Sequence, residues 1–233
     1  MKIVIIRHAD PDYPNNTLTK LGFKEAEMLG KKYSSKDFDY FYCSSLPRAM
    51  LTCEAINKGK KPVEYCDWLQ EVYFRINIDG QEQGNFDYDP EFFLTHKEYL
   101  DVDKYMSLPP FKGTQLEARY VEMCEKFDEV LAKHGYVRDG YVYKEVKPND
   151  DTLVFVCHYG MMCFLVSHLI NLPYNLLSQY ICPMPSALTM LYSFKRNNKI
   201  MFRINCIGDR SHLGRKANIS VNSYLDKNDR VKF

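Results

Sequence analysis

The chain has no excess charge of either sign. Lys and Arg total 31 against 30 Asp and Glu, for a formal net charge of +1. That balance selects neither a polyanion nor an acidic membrane surface, so no nucleic-acid or membrane partner is expected. Long apolar runs are missing too. The longest apolar-rich stretch, residues 161–170, is broken by Ser167 and His168 and falls short of the ~20 residues of a membrane helix. The apolar run at 3–6 is shorter than the ~7–15 residues of a secretory core segment, and Arg7 and Asp10 follow it at once. These absences predict a soluble, cytoplasmic protein. There is no C-x-x-C pair among the eight cysteines (43, 53, 66, 124, 157, 163, 182 and 206), and their spacings fit no zinc module. Several lie inside apolar runs, where a thiol behaves as a small hydrophobe. All eight are expected to be reduced and mostly structural. No internal repeat or low-complexity segment interrupts the chain.

What is present points to a globular core. Apolar residues make up 45% of 233 positions, enough for one large domain. Residues 2–6 (KIVII) and 152–157 (TLVFVC) are continuous apolar, β-branched runs, the pattern of strands buried on both faces. Strands are also predicted at 38–43, 62–66, 187–194 and 199–207. A helix is predicted from about Thr19, with Leu21, Met28, Leu29 and Tyr33 on its inner face. Another should begin near Ser45, with Ser44 or Ser45 as N-cap and Pro47 in the first turn. A long helix should span about 114–133, its stripe formed by Leu116, Tyr120, Met123, Phe127, Val130 and Leu131. A polar loop to Asp151 should follow it, and a further helix should run from about Gly160 to Asn171. Residues 72–112 are aromatic and acidic without clear period and read as an inserted cap, and the tail after about 214 reads as irregular. The alternation predicts a single α/β domain over 1–233. Its expected form is a three-layer sandwich, with a mostly parallel central sheet and helices on both faces.

In such sheets ligands gather beyond the carboxyl ends of the strands. Here those ends carry one chemistry. Arg7 and His8 follow the first strand; Ser44, Ser45 and Arg48 follow 38–43; His158 follows 152–157. Arginine binds phosphate oxygens as a permanently charged fork, helix N-termini add N–H donors, and imidazole can attack phosphorus or donate to oxygen. The missing part is an acid for the leaving oxygen. Glu71, just before the cap, is the best placed, ahead of Asp10 and Asp12. Arginines crowding the centre oppose a metal ion there, so no metal or cofactor is expected. His96, His134, His168 and His212 read as structural, His168 as a satisfied core histidine.

Five segments occur in an order that resembles the histidine phosphatase superfamily, the phosphoglycerate mutase-like group, branch 1. They are Ile5-Ile6-Arg7-His8-Ala9, Leu18-Thr19-Lys20-Leu21-Gly22 with Ala26, Ser44-Ser45-Leu46-Pro47-Arg48-Ala49 with Thr52, Trp68-Leu69-Gln70-Glu71, and Val156-Cys157-His158-Tyr159-Gly160. The resemblance implies roles. His8 would be the phosphorylated nucleophile. Arg7, Arg48 and His158 would bind phosphate. Glu71 would be the proton donor, with no metal required. Four positions depart from the family pattern. Ala9 stands for a glycine, Leu46-Pro47 is inverted, and Tyr159 replaces a Gly or Asp. The segment after the acid is represented only by Asp79-Gly80-Gln81-Glu82.

The expected activity is hydrolysis of a small phosphomonoester. A mutase-type phosphotransfer, or a phosphate-binding regulatory module without turnover, would use the same residues. Residues 72–105 hold eight Asp/Glu, three Lys/Arg and eight Tyr/Phe. Such a cap suits a neutral, cationic or aromatic leaving group better than a second phosphate. The sequence leaves the oligomeric state open, a homodimer included.

Overall fold

The computed structural model describes residues 1–78, 80–86 and 91–218, with the side chains of 93, 94 and 215–218 left aside. The first half contains β1 (Lys2–Arg7), β2 (Pro11–Asp12), β3 (Thr17–Leu18), α1 (Lys20–Lys32), β4 (Tyr40–Ser44), α2 (Pro47–Asn57), β5 (Val63–Cys66), β6 (Arg75–Ile78), β7 (Gln81–Gly84) and α3 (Phe92–Thr95). The second half contains α4 (Gln115–Lys133), β8 (Tyr136–Asp139), β9 (Val142–Glu145), β10 (Thr152–Cys157), α5 (Tyr159–Ile170), α6 (Tyr174–Tyr180), β11 (Leu188–Arg196) and β12 (Lys199–Asp209).

Eight strands form the central sheet in the order β5-β4-β10-β1-β11-β12-β9-β8. β5, β4, β10 and β1 pair in parallel, while β11 and β9 run against the rest. The apolar run of β1 is buried on both sides because its residues alternate between two cores. Ile3 and Ile5 pack with α4 and α5; Val4 and Ile6 pack with α1 and α2. The result is an α/β sandwich of three layers. The described residues of 72–112 add no strand to that sheet. They form the β6–β7 ribbon, α3 and short 3-10 turns, and Ile76, Phe86, Tyr105 and Phe111 join the larger core.

The helices expected from about Thr19 and Thr114 begin there, each threonine serving as N-cap: Thr19 accepts from Gly22 N and Thr114 from Glu117 N. On α4 the expected stripe is buried except for Tyr120, which is half-buried against the same core. Three expectations need correction. On α1 the inner face is Gly22, Glu25, Ala26, Leu29 and Gly30, and Leu21 is exposed. Small residues let α1 approach closely: a Cβ on Gly22 would strike the Asp10 carbonyl, and one on Gly30 the Ala55 carbonyl. On α2 the N-cap is Leu46, without a side-chain bond, because both serines have other partners. The polar loop after α4 contains the β8–β9 hairpin, and α6 was not anticipated. Asp79 and the tail beyond Asn218 lie outside the described residues. Among the described residues, no helix is long and apolar enough to cross a membrane.

Candidate active site

The parallel register places Arg7 opposite Cys157, and Cys43 opposite Val156, so the chains leaving β1, β4 and β10 emerge side by side. His8 follows β1 and is buried. Its amide donates to Cys157 O at 2.9 Å, and its carbonyl accepts from Ser186 N at 3.0 Å. The ring is held as firmly. Nδ1 lies 2.8 Å from the Ala9 carbonyl. A carbonyl can only accept, so Nδ1 carries the proton and Nε2 carries the lone pair. Burial, and then the Arg7 charge, hold the His8 pKa well below its ordinary value, so the ring is neutral at physiological pH. A neutral imidazole with a bare, oriented Nε2 is a nucleophile.

Ala9 keeps the local backbone intact. It lacks a positive φ, its side chain is buried, and its amide donates to Thr52 Oγ1 at 3.0 Å. Thr52 in turn donates to the Arg48 carbonyl at 2.8 Å, tying the β1 end to the start of α2.

His158 lies beside His8, their ring centroids 5.0 Å apart. Its Nε2 is 2.7 Å from Ser44 Oγ. Ser44 Oγ also accepts from Leu46 N at 3.3 Å, and its hydroxyl proton, given to Nε2, would leave Nδ1 of His158 as an N–H donor. That Nδ1 is buried and has no partner among the described residues; the same holds for Nε of Arg7 and Nε of Arg48. Arg7 is fixed from the other side by donation from Nη1 to Pro183 O at 2.9 Å. Buried donors without acceptors are costly, about 1–3 kcal/mol each, and more when charged. Three of them around one nucleophile make a cradle shaped for an anion. The arginines also depress the pKa of His158, after the larger effect of burial, so both rings stay neutral.

Glu71 is half-buried behind the N-terminus of α5. Its Oε1 accepts from Val72 N at 2.9 Å, Gly160 N at 3.0 Å and Met161 N at 3.4 Å. Oε2 has no such anchor. Burial raises the carboxyl pKa against the pull of these amides and of Arg7 and Arg48. Gly160 permits this seat: a Cβ there would lie 2.8 Å from Oε1 and would strike the Phe86 ring.

The structure therefore brings together all five residues chosen from the sequence. Asp10 and Asp12 go elsewhere: Asp10 accepts from Thr19 Oγ1 at 2.5 Å and Asp12 accepts from Asn15. His168 is a satisfied core residue, with Nε2 2.9 Å from Asp128 Oδ1. His212 lies 3.1 Å from Ser186 Oγ, and His96 pairs with Thr95. Sequence reasoning missed Ser44 as the group that orients His158, having spent it on a helix cap. Its position at the very end of β4 was the available signal. The Tyr159 substitution is also accommodated: its ring faces Arg7, 5.5 Å from the guanidinium carbon, and its hydroxyl donates to Ser178 O at 2.5 Å. All eight cysteines are free, and among the described residues no cluster of three or more His, Cys, Asp or Glu is arranged to hold a metal ion.

Fold and cradle define the class: an α/β sandwich whose strand ends bring an imidazole with a free Nε2 lone pair among guanidinium and imidazole groups. The chain matches the histidine phosphatase superfamily (branch 1) over residues 3–206 and belongs to that family. Solved structures agree on the fold. A phosphoserine phosphatase of Entamoeba histolytica, crystallised with 3-phosphoglyceric acid, has a TM-score of 0.61 at 17% identity and covers 91% of this chain and 98% of its own. A mycobacterial glucosyl-3-phosphoglycerate phosphatase in complex with VO3 gives 0.57 at 20%, covering 89% and 98%. The alpha-ribazole phosphatase of Shigella flexneri gives 0.55 at 18%, covering 90% and 97%. No curated protein matches the chain.

Proposed function

We propose that this protein is a metal-independent phosphomonoesterase that works through a phosphohistidine on His8. The observation that carries the reading is the set of three buried N–H donors without protein acceptors, grouped around an Nε2 whose lone pair is fixed by the Ala9 carbonyl.

In the first step Nε2 of His8 attacks phosphorus, and the bond from phosphorus to the ester oxygen breaks. Arg7, Arg48 and the Nδ1–H of His158 receive the charge spread over the three peripheral oxygens. The protonated Glu71 gives its proton from Oε2 to the leaving oxygen. In the second step the Glu71 carboxylate takes a proton from water, which attacks phosphorus. The P–N bond breaks, and inorganic phosphate and neutral His8 are restored. The raised pKa of Glu71 and the lowered pKa of His8 both shift in the direction that an acid and a neutral nucleophile require.

The substrate is a phosphomonoester whose leaving group carries no second phosphate. Two of the three cations in residues 72–105 are already paired, Arg75 with Glu82 at 3.6 Å and Lys104 with Asp101 at 3.0 Å. Aromatic groups flank the acid instead: Phe86 packs 5.0 Å from Tyr159, and the exposed Tyr73 lies 6.0 Å from Phe86. Turnover of p-nitrophenyl phosphate in EDTA, run beside His8→Ala, tests the reading. Wild type should release phosphate and yield acid-labile phosphoprotein on quenching, while His8→Ala should do neither. Equal rates for the two proteins defeat it. A panel of aryl, sugar and bisphosphorylated esters tests the substrate class, and preference for the bisphosphates refutes it.

A further inference from the structure

Tyr13 plays no part in the reaction as described so far. It sits in the β2–β3 turn, only five positions beyond His8, and that turn is fixed at several points. Asn15 N donates to Asp12 Oδ1 at 3.3 Å and Asn15 Nδ2 donates to Asp12 Oδ2 at 2.9 Å. Asn16, in the left-handed region at φ 49°, donates its amide to Tyr13 O at 3.2 Å. The side chain projects from this turn over the cradle. Its ring centroid is 5.5 Å from the guanidinium carbon of Arg48. Arg7 and Glu71 lie near enough for their charges to act on the phenol. One half-exposed aromatic residue thus packs on Arg48 and lies within electrostatic range of Arg7 and Glu71.

Arginine can only donate, so any bond between Arg7 and Tyr13 uses a lone pair of the phenol oxygen. The phenol proton is left to point elsewhere. A phenol with its ordinary pKa near 10 is protonated at neutral pH, and the shift at Tyr13 is upward. Around it lie the unpartnered donors of Arg7 and Arg48, which an arriving phosphoryl group would engage.

We propose that Tyr13 is a substrate-contacting residue whose hydroxyl donates to a phosphoryl oxygen from the solvent side, while its ring fixes the Arg48 guanidinium. This rests on the phosphohistidine reading for its meaning, though not for its test. The competing account makes Tyr13 a purely structural clip on Arg48. Tyr13→Phe separates the two, since it keeps the ring and removes only the hydroxyl. The test uses inorganic phosphate, titrated by calorimetry into wild type, Tyr13→Phe and Tyr13→Leu, with kcat/KM on p-nitrophenyl phosphate measured alongside. One charge-assisted hydrogen bond corresponds to about 10-fold or more in affinity. Tyr13→Phe should therefore bind phosphate about 10-fold more weakly and lose a similar factor in kcat/KM, with an unchanged melting temperature. Tyr13→Leu should lose more. If Tyr13→Phe binds phosphate as wild type does, the hydroxyl contact is refuted, even if Tyr13→Leu is impaired. If wild type binds phosphate but shows no His8-dependent turnover, the phosphohistidine reading fails while the phosphate titration still decides the role of Tyr13.

Discussion

Two buried histidine clusters sit at opposite edges of one sheet, and they differ in a single respect. At the carboxyl edge are His8 and His158. At the amino edge, where β4 and β10 begin, His134 lies in a cleft of about 330 Å3 lined by Tyr40, Tyr42, Glu64, Lys133, Lys147, Asn149 and Asp151. Burial lowers the histidine pKa in both places. The amino-edge ring, however, is satisfied: Tyr42 OH donates to its Nε2 at 2.9 Å, and its Nδ1 faces Asp151 Oδ2 at 3.4 Å. The carboxyl-edge ring of His158 has one nitrogen paired and one left over. Burial or a cleft alone does not mark chemistry. Single unpaired buried atoms also occur elsewhere, Tyr105 Oη and Ser167 Oγ among them; what sets the carboxyl edge apart is that three such nitrogens, on Arg7, Arg48 and His158, gather beside His8.

The comparison can be broken most severely at Glu71. If its Oε2 supplies the proton, Glu71→Gln should lower kcat on alkyl phosphates by ~10²–10⁴. The loss on p-nitrophenyl phosphate should be much smaller in the first step, because that phenolate leaves without help. An equal loss in that first step on both substrates would mean that Glu71 does not protonate the leaving oxygen. The pH profile of kcat/KM carries the same logic. With His8 depressed, activity should persist to pH well below 6.5; with Glu71 raised, the alkaline limb should begin above 4.5 and vanish for alkyl esters in the Gln variant.

Arg48→Ala comes next. Removing one preorganised donor from an oxyanion site costs ~10²–10³ in rate. Kinetics on any accepted ester measures it, and a change below 10-fold would show that Arg48 lies outside the reacting charge. Ser44→Ala should act more gently. It removes the group that sets the tautomer of His158, leaving the ring free to present the wrong nitrogen, and about a 10-fold fall in kcat/KM is expected, with melting little changed. Asn at the same position, which can still reach Nε2, should recover part of the loss.

How far these contrasts were visible beforehand depended on the kind of residue involved. The strands of the parallel half announce themselves, since KIVII and TLVFVC can only be buried on both faces. Once those strands are placed, Arg7, His8, Arg48 and His158 follow, because their positions are set by strand ends rather than by side-chain geometry. Features resting on small residues or single contacts were not legible. The inner face of α1 is carried by Gly22, Ala26 and Gly30, which hydrophobic periodicity overlooks. The β8–β9 hairpin buries only Tyr136 and Tyr143 among polar neighbours and so reads as loop. α6 is a seven-residue helix, too short for a periodic signal. The tautomers of His8 and His158 depend on which carbonyl or hydroxyl lies alongside, a fact of three dimensions that spacing does not encode.

The smallest effect on catalysis, and the sharpest form of the comparison, is expected at His134. His134→Gln should leave kcat/KM within about twofold of wild type, since the satisfied edge contributes nothing to the reaction. Its cost should appear in stability: about 1 kcal/mol for leaving Tyr42 OH without a matched partner at a site partly open to solvent. The pH dependence then separates this from generic damage. A histidine with a folded pKa below its unfolded value of 6.5 binds fewer protons in the native state. Its contribution is therefore fully present above pH 6.5 and is lost as pH falls below it. Replacing His134 removes that proton uptake. The variant should melt lower than wild type at pH 7.5, and the gap should narrow as the pH falls from 6.5 towards 5. A gap that stays constant across this range would mean that His134 is not held neutral by its burial, and a parallel loss of phosphatase activity would erase the distinction between the two edges.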